Sequence, residues 1–158
     1  MHVIDASSIV YAWDNYPKAK LTKLWVWLES MITEGELVIP SVALDEVSHV
    51  APECHAWLIQ SGITVVSIGG QVLQKAQQIK AELGIVEDRY DAKGVDENDL
   101  IIIACASELH APLVSNEAVQ SSLPSNKAKY KIPAVCTHVL RHPCVDFLAY
   151  FSSTEEVF

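Results

Sequence analysis

The sequence predicts an α/β fold with a mostly parallel central sheet of four to five strands. One observation indicates this class, and a second indicates a single domain. Short apolar segments of the kind that form buried strands alternate with longer segments whose apolar residues recur at helical spacing. No repeat, low-complexity segment or linker divides the 158 residues. A chain of this length can bury roughly 70% of the surface of its unfolded form, so we expect one domain spanning residues 1–158.

The first half of the chain predicts three strands and four helical segments. HVID, residues 2–5, is a short strand that ends in an acid and leads into the helix SSIVYAW. Pro17 is expected to open the next helix and Gly35 to end it, because proline favours a first helical turn and glycine a helix end. The remaining elements are the strands LVIP (37–40) and ITVVSI (63–68), and helices over SVALDEVSHV (41–50) and residues 56–59.

One face of the second helix carries an apolar stripe. Trp25 lies on it and is predicted to be core, whereas Val26 points away and Trp27 lies at its edge. Val26 and Trp27 are either scattered surface residues or part of a surface for a partner, including a second copy of the chain. The stripe consists of Leu21, Leu24, Trp25, Leu28, Met31 and Ile32.

The second half continues the alternation. It predicts a helix over residues 71–83, a polar loop GIVEDRYDAKG (84–94) and a helix over VDENDLIIIACA (95–106). A strand APLVS (111–115), a helix over residues 133–140 and a final strand CVDF (144–147) follow.

Composition indicates a cytoplasmic protein. No apolar run reaches the roughly 20 residues of a bilayer span, and the first residues lack the pattern of a secretory signal. The four cysteines form no C-x-x-C pair, so we expect reduced, mostly buried thiols rather than disulfides or a zinc site.

A formal net charge of −9 argues against a surface broadly covered with phosphate-binding groups, although a local one is compatible with it. Three lysines lie in PKAKLTK (17–23), and Lys127, Lys129 and Lys131 surround Tyr130 in SNKAKYKIP. Each cluster is either a solvated face or a strip for phosphate.

Acids recur where the predicted strands end. Asp5 ends the first strand, Asn116 and Glu117 follow the strand LVS, and Asp96 and Asp99 stand at the mouth of the apolar helix. Ligands of parallel α/β sheets bind at this edge. Glu46, in the helix after LVIP, belongs to the same edge. Clustered carboxylates repel one another and need a cation, and an all-oxygen site suits Mg²⁺ or Mn²⁺, the ions of metal-assisted phosphodiester hydrolysis.

Each acid also has a simpler explanation. Asp96 can be a helix N-cap with Asp99 as its capping-box partner, and Glu46 can be a solvated helix position. Asp5 is the hardest to explain in this way, because an acid that ends a buried strand is costly unless it is paired or metal-bound. For Asp96 and Asp99 we expect both roles, with Asp96 the cap that positions Asp99, and Glu97 facing solvent.

Four segments in this order resemble the PIN domain, the nuclease fold of many toxins in bacterial and archaeal toxin–antitoxin pairs. They are VIDASSIVYA, IPSVALDEV, NDLIIIACA and LVSNE, and together they span residues 3–117. The closing segment KIPAVCTHVLRHPCVDFLAYF is similar to a PIN-like group known as a domain of unknown function, DUF4411. The resemblance implies a three-layer α/β/α sandwich.

The resemblance also implies roles for individual residues. Asp5, Glu46 and Asp99 correspond to the metal-binding acids, Glu117 stands where the family usually has a fourth Asp, and Asp96 is an additional ligand or a cap. Ser7 falls where a small polar residue supports the first acid. With Asn116 and the lysines at 127, 129 and 131, Ser7 is expected to face the substrate.

The resemblance implies an RNA substrate, Mg²⁺ or Mn²⁺ as cofactor, an inhibitory protein antitoxin and a homodimer. The leading hypothesis is therefore a metal-dependent ribonuclease and toxin of a type II pair. A second hypothesis is a catalytically weakened PIN-like binding or regulatory module, motivated by Glu117 and the acidic composition. A metal-dependent phosphatase is disfavoured, because no D-x-D pair follows the first strand and no glycine-rich phosphate loop occurs.

Overall fold

Five parallel strands form the central sheet of the computed structural model, which describes residues 1–155. The strands are β1 (His2–Ile4), β2 (Leu37–Pro40), β3 (Thr64–Val66), β4 (Leu113–Val114) and β5 (Cys144–Val145), in the spatial order β3-β2-β1-β4-β5. Helices flank the sheet. They are α1 (Ala6–Asn15), α2 (Thr22–Thr33), α3 (Ser41–Val50), α4 (Pro52–Gln60), α5 (Gly70–Glu82), α6 (Glu97–Glu108), α7 (Ile132–Ala134) and α8 (Phe147–Ser152), with a 3₁₀ turn at Lys127–Lys129 and a π-helix at Val135–Leu140. The predicted α/β class, parallel sheet and number of strands are confirmed.

The strand order reverses beside β1. The chain moves from β1 to β2 and β3 on one side, then returns to place β4 and β5 on the other. Val3 and Ile4 pair with Leu113 and Val114, and the backbone N–H of Asp5 donates to the carbonyl oxygen of Val114 at 2.9 Å. The loops after β1 and β4 therefore leave the sheet side by side. In parallel sheets, ligands bind at such a reversal.

Helix α6 is anchored in the interior by the apolar run of the sequence. Ile102, Ile103, Ala104, Cys105 and Ala106 have no exposed surface. Because apolar residues occupy every side of this part of the helix, it packs between other elements instead of covering them from outside. Its N-terminal turn, which carries Asp96 and Asp99, is thus held at a fixed place on the sheet edge.

The structure corrects two predicted boundaries. Pro17 does not open α2; it begins a turn in which the N–H groups of Lys20 and Leu21 donate to its carbonyl oxygen, and α2 begins at Thr22. The predicted strand CVDF ends at Val145, because the carboxylate of Asp146 accepts the N–H of Ala149 at 2.7 Å and caps α8. The cap is a local signal that a strand pattern concealed.

Helix α8 also changes the interpretation of Trp27. The indole is 8% exposed and packs on Tyr150 and Phe151 with ring centroids 5.4 and 5.9 Å away. The interpretation of Trp27 as part of a partner surface is therefore wrong. Trp25 is buried and Val26 is 61% exposed, as predicted.

Lys18, from the first lysine cluster, lies over an aromatic group. Its ammonium is 5.7, 5.6 and 4.9 Å from the ring centroids of Trp13, Trp25 and Trp57. At this range a cation is attracted to the ring faces, so Lys18 stabilises the connection between α1 and α2.

All four cysteines are free, and three of them are buried, which agrees with the predicted thiols. Within residues 1–155, none of the helices combines the length and the apolar character that crossing a membrane requires.

Candidate metal centre

Asp5 lies where the strand order reverses, and its carboxylate is held by two hydroxyl groups. The residue is 3% exposed. Ser7 Oγ and Ser115 Oγ donate to Asp5 Oδ2 at 2.5 and 3.0 Å. Burial raises the pKa of the Asp5 carboxyl, and the two hydroxyl donors lower it again in part. The predicted support of Asp5 by Ser7 is present, and the carboxylate is fixed before any ligand arrives.

Asp96 and Asp99 form a reciprocal capping box at the mouth of α6. Asp99 N–H donates to Asp96 Oδ1, and Asp96 N–H donates to Asp99 Oδ2, both at 2.9 Å. The predicted cap is confirmed, and Glu97 between them is exposed as expected. One oxygen of Asp99 serves the helix. Burial above all, together with the negative charges of Asp96, Asp5 and Glu117, raises the pKa of Asp99 to about 7.

Four acids share this edge and repel one another. We call Asp5, Glu46, Asp99 and Glu117 the acid rim. Partial loss of hydration raises the pKa of Glu46 although its side chain reaches solvent, and the charges of Asp5, Asp96 and Glu117 add to the effect. The structure therefore brings acids from four separate segments within electrostatic reach, as the sequence predicted.

The chemistry of the acid rim fits a divalent cation held by few protein ligands. Across residues 1–155, no three His, Cys, Asp or Glu side chains converge into a metal-binding group. Mg²⁺ keeps several waters and is commonly bound through one or two carboxylates plus substrate phosphate, so such a group is not required. The donors are all oxygen, and their mutual repulsion is relieved by a bound cation.

The second lysine cluster lies beside the acid rim. Val95 N–H, one residue before the cap of α6, donates to the carbonyl oxygen of Tyr130 at 2.9 Å. Lys131 Nζ is 3.8 Å from Glu117 Oε2. Lys127 is exposed, and Lys129 and Lys131 are partly buried. We call Lys127–Lys131 the lysine strip, and its binding of phosphate stays a prediction.

Asn116 joins three elements at the same edge. Its side-chain oxygen accepts from Ser8 Oγ at 2.8 Å and from the N–H of Phe147 at 2.9 Å. This atom is therefore engaged within the protein, linking the loop after β4 to α1 and α8. A contact of Asn116 with substrate stays a prediction. Such a contact would be made by the amide nitrogen, Nδ2.

Sequence reasoning missed two residues that hold the site. Ser115, 2% exposed, donates to Asp5 and accepts the N–H of Glu117 at 3.3 Å. Its place directly after β4, opposite Asp5, was the available signal. Gln120 bonds to the lysine strip through both ends of its amide. No local pattern indicates that contact, because it joins two loops.

The raised pKa of Asp99 makes stability depend on pH. An unfolded Asp titrates near 3.8 and the folded one near 7, so the folded state binds the proton more tightly. In EDTA, the free energy of unfolding should fall as pH rises from about 4 to about 7 and then level off. Asp99→Asn should flatten this decline and be about 1–2 kcal/mol more stable than the parent at pH 8.

Urea unfolding across pH measures this effect. Glu97→Gln removes the same charge from the same helical turn and controls for the helix dipole. If Asp99→Asn follows the parent at every pH, Asp99 is not strained by its surroundings.

The parallel sheet and its flanking helices form a PIN-like α/β fold. A similar chain occurs in the crystal structure of VapBC2 from Rickettsia felis bound to a DNA fragment from their promoter: the TM-score is 0.58 with 16% sequence identity, over 92% of this chain and 97% of that chain. At this identity the likeness concerns the fold alone. The chain belongs to the family described as Domain of unknown function (DUF4411), whose model matches residues 2–158. Both predicted resemblances are thereby confirmed. No curated protein matches the sequence.

Proposed function

We propose that this protein is a Mg²⁺- or Mn²⁺-dependent endoribonuclease and the toxin of a type II toxin–antitoxin pair, acting in the cytoplasm as one domain. The observation that carries the proposal is the buried Asp5, fixed by two hydroxyl groups at the reversal of strand order, with three further acids within electrostatic reach. An apolar strand end has no structural need for such a group. The PIN-like fold supports the same conclusion.

Asp5 and Asp99 are the residues that we assign to hold the ion, with Glu46 adding negative charge nearby. When bound, such an ion activates water and stabilises the charge that develops on the phosphate. Ser7 and Ser115 orient the Asp5 carboxylate, and the capping box orients Asp99, so both acids are preorganised. The lysine strip binds the phosphates that flank the scissile bond, a task compatible with a net charge of −9 because it is local.

An antitoxin is the expected protein partner. The structural neighbour is described as VapBC2 bound to a DNA fragment from their promoter, which supports a comparable assembly here. Homodimerisation is a weaker expectation, since Trp27 is buried and Val26 alone of the two residues remains available to a partner.

A catalytically weakened binding module is the second candidate. One observation favours it: Lys131 Nζ lies 3.8 Å from Glu117 Oε2 and offsets part of the charge of that carboxylate. Such a module would bind RNA without cleaving it.

Incubation of the protein with a mixed RNA pool separates the two candidates. We expect fragments in Mn²⁺ or Mg²⁺ and none in EDTA. RNA binding without fragments in either metal would establish the binding module. If the protein neither cuts nor binds RNA but hydrolyses a phosphomonoester, the phosphatase hypothesis of the sequence analysis would be established instead.

The lysine strip can be tested by its salt dependence. Replacing Lys127, Lys129 and Lys131 with Ala should weaken RNA binding and reduce the slope of log K against log salt by about 0.7 for each phosphate that is no longer neutralised, or about 2 in total. Filter binding in EDTA at several salt concentrations measures this. The matched control replaces Lys75, Lys80 and Arg89, which lie outside both lysine clusters. Equal slopes in the two triple variants would show that the strip is only a solvated face.

A further inference from the structure

We infer that Lys131 takes the place of a second divalent cation at the acid rim, and that its ammonium binds the substrate phosphate beside a single metal ion. The inference rests on the proposed function and adds to it the number of ions and the role of one side chain. Lys131 Nζ and Glu117 Oε2 are 3.8 Å apart. Of the ion pairs within residues 1–155, this one involves the acid rim, and the other joins the N-terminal amine to Glu36.

The backbone of Lys131 is tied to the loop that carries Glu117. Gln120, three residues after Glu117, accepts the N–H of Lys131 at 2.9 Å and donates to the carbonyl oxygen of Lys129 at 3.0 Å. An amide that bonds through both ends fixes the distance between two loops better than one contact does. The ammonium and the carboxylate are therefore placed together by the fold.

The other side of the lysine strip is tied to the mouth of α6. Tyr130 is 8% exposed, and its carbonyl oxygen accepts the N–H of Val95. The side chain of Lys131 is 37% exposed, so it is partly covered by protein and still reaches solvent. The backbone of the lysine strip is thus tied to both the loop of Glu117 and the end of α6 that carries Asp99, with the ammonium of Lys131 beside Glu117.

Charge explains why a second ion is excluded. A divalent ion at Glu117 would have to displace the ammonium or bear its repulsion. Glu117 has one more methylene than the usual Asp, so its carboxylate lies farther from the backbone. That carboxylate forms the ion pair with Lys131. An ammonium is a compact positive charge that binds phosphate without a fixed orientation, so it supplies charge where a second ion otherwise would.

The test is the number of Mn²⁺ ions that bind, measured by calorimetry on the metal-free protein. We expect one ion to bind both the parent and Glu117→Gln. The two affinities should agree within about fivefold, because Glu117 is not a ligand of this ion and affects its binding only at a distance, through its charge. Lys131→Met should lower kcat for RNA cleavage by about 100-fold with little change in KM, since its charge acts on the reacting phosphate. Lys131→Arg should recover part of the loss. Lys75→Met is the matched control, because Lys75 lies with Glu108 at the opposite end of α6.

Each contrary result has a distinct meaning. Two ions in a cleaving parent, reduced to one in Glu117→Gln, would overturn the inference and leave the nuclease proposal standing. Cleavage by Lys131→Met at the rate of the parent would do the same. If the parent binds no ion or cuts no RNA, the proposed function fails and the role of Lys131 fails with it.

Discussion

Asp5→Asn should abolish metal-dependent RNA cleavage, with a loss of about 10³-fold or more. Among the acids of residues 1–155, Asp5 is the most enclosed by protein, and an amide is a poor ligand for Mg²⁺ or Mn²⁺. A loss of this size corresponds to about 4 kcal/mol of transition-state stabilisation, within the range that a metal ion contributes. Cleavage of a mixed RNA pool in Mn²⁺ measures it, and calorimetry should show that Mn²⁺ binding disappears as well.

The variant should remain folded. The Asn side-chain oxygen can still accept the hydroxyl groups of Ser7 and Ser115, which donate to Oδ2 in the parent. Removing a buried charge from the acid rim also relieves repulsion, so in EDTA at pH 8 the variant should be as stable as the parent or more so.

Asp45→Asn is the matched control. Asp45 is the exposed neighbour of Glu46 on α3, and its replacement changes the net charge equally. Cleavage by Asp5→Asn at the parent rate would show that the acid rim is not the catalytic site. A loss shared by Asp45→Asn would point instead to net charge.

Much of the fold follows from local signals in the sequence. The strand HVI and the apolar run of α6 are encoded by residues adjacent in the chain, and the capping box by two acids three residues apart. The failures share one physical cause. Pro17 fits a helix start, yet the chain makes a turn there first, and the DF of CVDF fits a strand until the Asp146 cap is recognised. In both places a short-range hydrogen bond, in the turn after Pro17 and at the Asp146 cap, decides between two acceptable local structures.

The candidate site was only partly visible in the sequence because several of its contacts join residues that are distant in the chain. Asp5, Glu46, Asp99 and Glu117 could be assigned to one edge because the carboxyl ends of parallel strands meet there. Ser115 could have been assigned there from its place directly after β4, whereas the amide of Gln120 could not, since its partners depend on the path of a loop. Trp27 shows the converse: a residue at the edge of a helical stripe became core because α8 covers it.

Gly94→Ala should destabilise the protein by about 2–3 kcal/mol and displace the lysine strip. A Cβ at Gly94 would lie 1.9 Å from the carbonyl oxygen of Ala128 and 2.9 Å from Lys129 Cα. These are backbone atoms, so the clash cannot be relieved by turning a side chain, and forced separation of packed segments has a cost of this order. Urea unfolding in EDTA measures the decrease in stability.

The functional effect should be on RNA binding rather than on the metal. Gly94 precedes Val95, whose N–H bonds to Tyr130, so separating the segments moves the lysine strip away from the mouth of α6. RNA affinity should fall several-fold, whereas Mn²⁺ binding at Asp5 should persist, because the hydroxyl donors of Asp5 lie in other loops.

Gly70→Ala is the matched control, since a Cβ there meets no atom within 4 Å and the residue begins α5. It should change stability by no more than about 0.5 kcal/mol. If Gly94→Ala is as stable as Gly70→Ala, the two segments do not touch as described and the lysine strip is not fixed from that side. If Gly94→Ala is destabilised yet binds RNA like the parent, the segments touch but the strip contributes nothing to the substrate. Loss of both stability and RNA affinity, with Mn²⁺ binding retained, is the outcome expected when one close backbone contact places the cations of the strip against the acids of the rim.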